Sequence, residues 1–289
     1  MLLYGLIGKM GMRIKRRWEK VNLTGIVLSL DEKRDYYQNI EVEFELMDVS
    51  TLTKYAERGN AKAQNTLGDR YYNGDNVEMN YEEAIKWYKE AAKSGYDVAE
   101  YNLADMYYCG LGTAKDYKKA IELYEKSAEH GNVNAMCNLG CMYENGEGTS
   151  VDCIKAIKCY KKAADMDDYF AQYNLGNMYM YGKGVGKDYT EAFKYHMKSA
   201  EIGYMKAQTT IGYMYEEGLG TEKDYKAALK WYEAAARMEY PYAEYNLGSM
   251  YYNGKGTARN LKISYEWYRR AAEHGLEKAR TIIEQKFND

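Results

Sequence analysis

The chain has 289 residues, of which 34 are tyrosine, 26 are glycine and one is proline, and its formal net charge at pH 7 is −3. A mildly acidic chain offers no electrostatic basis for binding nucleic acid, so this class of partner is not predicted. The charge is unevenly distributed. Residues 1–20 contain six basic side chains and one acidic side chain, a net +5, which leaves −8 for the remainder.

The first 46 residues do not resemble the rest of the chain. Residues 1–12, MLLYGLIGKMGM, are too short and too interrupted to span a membrane, and the basic residues follow the apolar ones, so neither an integral membrane segment nor a cleaved signal peptide is predicted. Residues 23–30 are compatible with a strand, and residues 41–46 with a strand or a helix. The basic run at 12–20 is compatible with binding an acidic lipid surface or partner, although we favour a solvated arm.

From residue 61 onward the sequence repeats with a period of 36 residues. Six whole units occupy 61–96, 97–132, 133–168, 169–204, 205–240 and 241–276. In the fourth unit the recurring residues are Ala171, Leu175, Tyr179 and Gly182, and each has a counterpart of the same kind in every other unit. Residues 47–60 match the second half of a unit and are predicted to cap the N-terminal end, while residues 277–287 supply a C-terminal capping helix.

Each unit predicts two helices joined by a glycine turn. Ala171, Leu175 and Tyr179 are four apart and share one helical face, and Asp188 precedes the second apolar face as an N-cap. Gly176 lies inside the first helix, where glycine costs ~1 kcal/mol relative to alanine, so we expect the second helix to cross closely there, near Ala192. One helix pair cannot bury both its apolar faces, so the units must stack. The sequence therefore predicts an all-α solenoid of about 14 helices.

The repeated pattern is A-x-x-x-L-G-x-x-Y-x-x-G-x-G, followed by D-x-x-x-A-x-x-W/Y-Y and then by A-A-x-x-G. It resembles the Sel-one-like repeat family, a relative of the tetratricopeptide repeats. The resemblance covers residues 61–289 and extends to 47–60. It implies a right-handed α-solenoid that acts as an adaptor for other proteins. The partner is not identified by it, because the repeated residues are those that build the scaffold.

The five cysteines lie in two adjacent units. They are Cys109, Cys137, Cys141, Cys153 and Cys159. Cysteine-rich bacterial members of the family pair a cysteine in each first helix with one at the end of the second, but Ala163 and Ala164 occupy that second site here. We therefore predict free thiols in a reducing compartment, and hence a cytoplasmic location, while secretion by a route without cleavage stays open.

Nothing in the residue spacing predicts an active site, a metal or a cofactor. Cys137 and Cys141 are one helical turn apart, but no further ligand is placed to complete a metal site. The G-x-G of the loops does not follow a strand, so it is a turn and not a nucleotide-binding loop. His130 and His274 share a last-turn position in two units, and His196 replaces a packing tyrosine. The prediction is a non-enzymatic protein.

A partner surface is predicted on first-helix positions that the core does not use, which line the concave face in the related tetratricopeptide repeats. These positions hold a row of aromatic side chains where an inert spacer would be polar, with a column of asparagines beside it. The predicted residues are Tyr72, Tyr101, Asn102, Tyr108, Asn138, Phe170, Tyr173, Asn174, Met180, Tyr181, Tyr213, Tyr242, Tyr245, Asn246 and Tyr252. In the alternative interpretation, several of the tyrosines only pack between first helices, and each asparagine bonds to the backbone of a neighbouring repeat.

The predicted function is a non-enzymatic adaptor or scaffold that binds a partner protein or peptide along this concave aromatic face. The alternative is a secreted bacterial member of the family that acts as a host-directed effector or as a hydrolase-like relative. A cleaved N-terminus or the presence of disulfides would favour the alternative, and five free thiols would favour the adaptor.

Overall fold

The computed structural model of the chain describes residues 44–287. The chain divides into two compact units, residues 1–47 and residues 48–289. Within the first unit, Phe44–Leu46 form a short 3₁₀ helix. The strand considered at 23–30 lies outside the described residues, and so do residues 41–43.

The described part of the second unit contains fourteen α-helices and no strand. Its helices are α1 (Val49–Glu57), α2 (Ala61–Asn73), α3 (Tyr81–Ala92), α4 (Asp97–Cys109), α5 (Tyr117–Glu129), α6 (Val133–Asn145), α7 (Cys153–Ala164), α8 (Tyr169–Tyr181), α9 (Tyr189–Ile202), α10 (Met205–Glu217), α11 (Tyr225–Ala236), α12 (Pro241–Asn253), α13 (Leu261–Glu273) and α14 (Glu277–Lys286). Each helix from α2 to α13 packs against the helix before it and the helix after it. The predicted all-α solenoid of six repeats is confirmed.

The second helix of each repeat begins at the predicted N-cap residue. The Asp188 carboxylate accepts hydrogen bonds from the backbone N–H groups of Thr190 and Glu191 at the start of α9. The same capping role is played in the other five repeats by Asn80, Asp116, Asp152, Asp224 and Asn260. These side chains satisfy N–H groups that have no partner within the helix, and so they fix where the helix starts.

The turn between the two helices of a repeat requires glycine at two positions, for different reasons. Gly182 ends α8 with a φ of 68°, in the left-handed region that disfavours other residues, and its N–H donates to the carbonyl of Met178. Gly184 also has a φ of 68°, and a Cβ there would lie 2.5 Å from the Cβ of Cys153 in the preceding repeat. The G-x-G pattern is therefore a helix-to-helix turn that packs against the previous repeat.

The two helices of a repeat cross closely at the glycine inside the first helix. A Cβ on Gly176 would lie 2.8 Å from the imidazole ring of His196, and a Cβ on Gly140 or Gly212 would lie 2.6 Å from Tyr160 or Tyr232. The expected close approach is confirmed, but the expected neighbour is wrong, since the atoms met first belong to His196 and not to Ala192. Ala192 is fully buried one turn earlier on the same helix. Its small side chain lets α9 approach, and the larger ring one turn later fills the space above the glycine.

Candidate partner-binding face

The residues predicted to bind a partner all lie on first helices, but they differ in exposure. Four tyrosines are exposed, with exposed fractions of 37% for Tyr72, 61% for Tyr181, 43% for Tyr213 and 55% for Tyr242. Met180 is buried. The half-buried members are Tyr101, Asn102, Tyr108, Asn138, Phe170, Tyr173, Asn174, Tyr245, Asn246 and Tyr252. The assignment of this set to a concave binding face stays a prediction.

Three of the half-buried tyrosines pack against the second helix of their own repeat. The ring of Tyr101 lies 5.8 Å from the ring of Tyr124, and that of Tyr245 lies 5.2 Å from that of Tyr268. Tyr173 lies 5.2 Å from the imidazole of His196. Ring contacts at these distances contribute to packing, so these tyrosines support the fold whether or not a partner also touches them.

The asparagines of the predicted set differ in their hydrogen bonds, and those of the second and third repeats bond to the preceding repeat. Asn102 donates from its side-chain amide to Asn65 Oδ1 at 3.0 Å and to Asp69 Oδ1 at 3.3 Å, both in the preceding repeat. Asn138 donates to Asp105 Oδ1 at 3.4 Å, again in the preceding repeat. The bonds between repeats that we considered are present at these two positions, but the acceptors are side chains and not backbone carbonyls.

Asp69 and Asp105 are the acceptors that connect neighbouring repeats. Asp69 accepts from the hydroxyl of Tyr88 at 2.8 Å, and Asp105 accepts from the hydroxyl of Tyr124. Burial raises the pKa of Asp105, while the hydrogen bonds that it accepts act in the opposite direction. Each aspartate thus joins a first helix, a second helix and the next repeat. Aspartate occupies the ninth position of two consecutive units, and this recurrence could have been noticed in the sequence. It does not show which hydrogen-bond donors reach the carboxylate.

This polar network is not continued in the last three repeats. The side-chain amides of Asn174 and Asn246 have no hydrogen bond within residues 44–287, although they occupy the same position as those of Asn102 and Asn138. Three of the four exposed tyrosines of the predicted set, Tyr181, Tyr213 and Tyr242, also lie in repeats four to six. Among the described residues, the asparagine amides of the second and third repeats are thus bonded to the preceding repeat, whereas those of the fourth and sixth repeats are not, and most of the exposed phenols lie in repeats four to six.

Two further tyrosines of the predicted set already have partners within the chain. The hydroxyl of Tyr108 donates to Glu147 Oε2 at 3.1 Å, and the pKa of Tyr108 is raised to about 12 by burial and by that carboxylate. Tyr252 is covered by the end of α14, where Lys286 Nζ lies 4.2 Å from its ring centroid and the Phe287 ring lies 6.0 Å away. These two side chains are less available to another protein than Tyr181 or Tyr213.

Two histidine–glutamate pairs were not predicted. His130 Nδ1 lies 2.7 Å from Glu100 Oε2, and His274 Nδ1 lies 2.8 Å from Glu244 Oε2. Both glutamates are buried, and the Glu100 carboxylate raises the pKa of His130. Glutamate and histidine occur together at the same two positions of the second and sixth units, and this joint occurrence could have predicted the pairs. Each pair joins the first turn of a first helix to the C-terminal end of the second helix of the same repeat.

The cysteines differ in exposure, with Cys109 exposed, Cys137 buried and the other three half-buried. All five lie in the described part of the chain, where none forms a disulfide. Burial raises the pKa of Cys137, which also donates to Asp168 Oδ1, and raises that of Cys159 to about 11. At neutral pH these two groups are thiols and therefore weak nucleophiles. Among residues 44–287 no cluster of His, Cys, Asp and Glu is suited to a metal ion, and no helix there is both long and apolar enough to cross a bilayer.

Comparison with known proteins adds a family and a fold. A family model described as Sel1 repeat matches residues 61–96, 97–132, 133–168, 170–204, 206–240 and 241–276. No curated protein matches the chain.

Two solved structures are similar over most of its length. One is a protective antigen present in uropathogenic Escherichia coli strains that displays an SLR fold, with 34% identity and a TM-score of 0.79, covering 84% of this chain and 53% of that one. The other is a Sel1 repeat protein from Oxalobacter formigenes, with 31% identity and a TM-score of 0.69, covering 78% of this chain and 99% of that one. The chain thus spans about half the length of the Escherichia coli protein.

Proposed function

The chain belongs to the Sel1 repeat family, whose members are generally non-enzymatic scaffolds for protein–protein interaction, and on this premise we propose that it is an adaptor that binds a partner protein or peptide along its first-helix face. The proposal places the partner on the part of that face formed by repeats four to six. The scaffold role follows from the family, and the face and the partner are the proposed elements.

One observation carries the choice of this face. Tyr181, Tyr213 and Tyr242 are large aromatic side chains that stay exposed, although the chain buries tyrosines of other positions efficiently, as at Tyr160 and Tyr232. Tyrosine is enriched at protein interfaces because it supplies a large contact area with few rotatable bonds, together with a hydroxyl for hydrogen bonding. Asn174 and Asn246 add amides that can donate to and accept from an extended peptide backbone.

The test separates binding from folding. We expect the triple variant Tyr181→Ala, Tyr213→Ala and Tyr242→Ala to keep the helicity and melting temperature of the parent, because exposed substitutions usually change stability by no more than ~0.5 kcal/mol each. Partners captured by the parent and identified by mass spectrometry should be largely lost, since removing an aromatic interface anchor commonly costs ~2 kcal/mol or more. Tyr101, Tyr173 and Tyr245 are unsuitable for this purpose, because they pack against second helices.

A matched control removes equally exposed apolar side chains from another surface. Met166, Ile202 and Met238 follow or end second helices of consecutive repeats and have exposed fractions of 52%, 55% and 61%. Their triple alanine variant should capture the same partners as the parent. If the tyrosine variant folds and captures every partner, or if the control loses them equally, the first-helix face is not the binding surface.

We also propose a reducing, cytoplasmic location and the absence of catalysis. The support for the location is that the five cysteines are unpaired, with two of them held as thiols by burial. The similar Escherichia coli protein is described as a protective antigen, which keeps secretion and an effector role as the second candidate. Cell fractionation decides between them, because recovery of the protein outside the cytoplasm would favour the second candidate.

A further inference from the structure

The chemistry of the partner can be inferred from a small surface at the C-terminal ends of α8 and α10. Tyr181 is the last residue of α8 and Glu217 the last residue of α10, at equivalent positions of consecutive repeats. Tyr213 precedes Glu217 by four residues and so lies on the same face of α10, one turn away. We call these three residues the acidic tyrosine patch. All three are exposed, and Tyr213 feels the charge of Glu217 and the phenol of Tyr181, both of which act to raise its pKa after the larger effect of burial.

Three features of this patch favour a cation. The faces of the two phenol rings carry negative electrostatic potential. Glu217 adds a full negative charge that no Lys, Arg or His of residues 44–287 neutralises by an ion pair. The last turns of α8 and α10 present carbonyl oxygens and the negative end of the helix dipole. All three features would repel an anionic group of a partner.

Two lysines close to the patch form their ion pairs with carboxylates outside it. Lys183, whose pKa is raised chiefly by its bond to Glu144, places its Nζ 2.6 Å from Glu144 Oε1. Lys255 Nζ lies 2.7 Å from Glu216 Oε1 and 5.6 Å from the ring of Tyr225. Within the described residues no Lys or Arg lies over the ring of Tyr181 or of Tyr213. Lys255 also feels the charge of Glu217, and Lys183 feels the phenol of Tyr181, but neither ammonium lies over the ring of Tyr181 or Tyr213. The faces of these two rings can therefore receive a cation from a partner.

The sixth repeat shows how such tyrosines are covered when a helix follows. There Lys278 Nζ lies 4.5 Å from the ring centroid of Tyr245, and Lys286 Nζ lies 4.2 Å from that of Tyr252, with the apolar ring of Phe287 beside it. The capping helix α14 thus meets first-helix tyrosines with lysines and an aromatic residue. It provides, within this chain, an example of the chemistry that the exposed tyrosines of repeats four and five can accept.

We infer that the acidic tyrosine patch receives a lysine or arginine side chain from a segment of a partner protein that also carries apolar residues. This inference rests on the proposed function and specifies the partner: a basic, partly apolar segment. The cation lies against the two phenol rings within reach of the Glu217 carboxylate, and the apolar neighbours of the cation contact the remaining ring surface. The interaction is electrostatic in part, so it weakens as salt is added.

The probe for testing this is a set of phage-displayed random peptides selected on the parent protein. We expect the selected peptides to be enriched in lysine or arginine next to apolar residues. The tightest peptide, synthesised and measured by calorimetry, should bind Glu217→Gln about three- to fivefold more weakly, as expected for an exposed cation–aromatic and ionic contact. Replacing its basic residue by norleucine should weaken binding to the parent but have little further effect on binding to Glu217→Gln.

The matched control is Glu201→Gln, which removes the same charge from an exposed position on the second helix α9 and should bind the peptide as the parent does. If the selected peptides lack basic residues, or bind Glu217→Gln unchanged, while the variant lacking Tyr181, Tyr213 and Tyr242 loses them, the inference is overturned and the proposed function holds. Peptides that bind this triple alanine variant unchanged, or a selection that yields no binders, count against both.

Discussion

His196 is a buried polar residue at a position that holds tyrosine in the other five repeats. Its side chain is fully buried, and neither ring nitrogen has a hydrogen-bond partner among the described residues. Burial lowers its pKa from 6.5 to about 4, because the charged imidazolium would lose its hydration without gaining a partner. The residue is therefore neutral in the folded protein at neutral pH, and it fills the slot above Gly176 without the hydroxyl that a tyrosine would supply.

This environment predicts acid-sensitive stability. The unfolded chain binds a proton at His196 below pH 6.5, whereas the folded chain does so only near pH 4, so stability is lost as the pH falls from 6.5 to 4. Between pH 7 and pH 5 we expect this residue alone to reduce the free energy of unfolding by about 2 kcal/mol. His196→Tyr should abolish that part of the pH dependence.

Urea unfolding of the parent and of His196→Tyr at both pH values checks this. Other titrating groups are common to the two proteins and cancel in the comparison. An identical loss of stability in both proteins between pH 7 and pH 5 would show that His196 is hydrated or hydrogen-bonded in solution.

The crossing of the two helices in a repeat depends on a glycine and the ring opposite it. Because even a Cβ added at Gly176 would lie 2.8 Å from the imidazole ring, a larger side chain must displace His196 or move α9. We expect Gly176→Leu to lower the free energy of unfolding by ~1–3 kcal/mol through overpacking, measured in urea. Gly186 is the matched control, since a Cβ there meets nothing within 4 Å, and Gly186→Leu should be close to neutral. Equal effects of the two changes would contradict the crossing geometry.

The elements themselves were largely predictable from the sequence, and the reasons are local. Asp188 and its counterparts mark helix starts because a carboxylate satisfies free N–H groups, and Gly182 marks a helix end because it adopts positive φ. The contacts between elements were less predictable. The recurrence of glycine at the position of Gly176 shows which face of α8 the second helix approaches. It does not show that the ring of His196 lies closer to that glycine than Ala192 does. Likewise, the position of Asn138 indicates a role at the repeat junction, but not that Asp105 is its acceptor.

At the scale of the whole molecule, the distribution of free polar groups separates the two ends of the first-helix face. Asp69 and Asp105 hold the asparagines of the second and third repeats, whereas the fourth and sixth repeats leave theirs without partners in the described part of the chain. The sequence predicted one continuous row of binding residues. It could not distinguish the members already engaged by neighbouring repeats, because this depends on side-chain acceptors 33 residues away along the chain.

The redox state of the whole chain is also testable. With five unpaired cysteines, the protein denatured without reductant should give five thiols in a titration with an aromatic disulfide reagent. In the native state we expect Cys109, the exposed one, to react first and the buried Cys137 last, because the reagent must reach the thiol and burial keeps it protonated. Fewer than five thiols after denaturation would show a disulfide and would favour a secreted protein.

Helices that are neighbours in the sequence make the most extensive contacts, and this has a consequence for how such a chain can change over evolutionary time. The junction of α8 with α7 is of the same kind as that of α10 with α9, since each joins a first helix to the second helix of the preceding unit. Duplication or loss of one 36-residue unit would therefore create a junction of a type that the chain already contains. The number of units, and with it the length of surface offered to partners, can thus be altered in whole steps, while individual surface residues diverge separately.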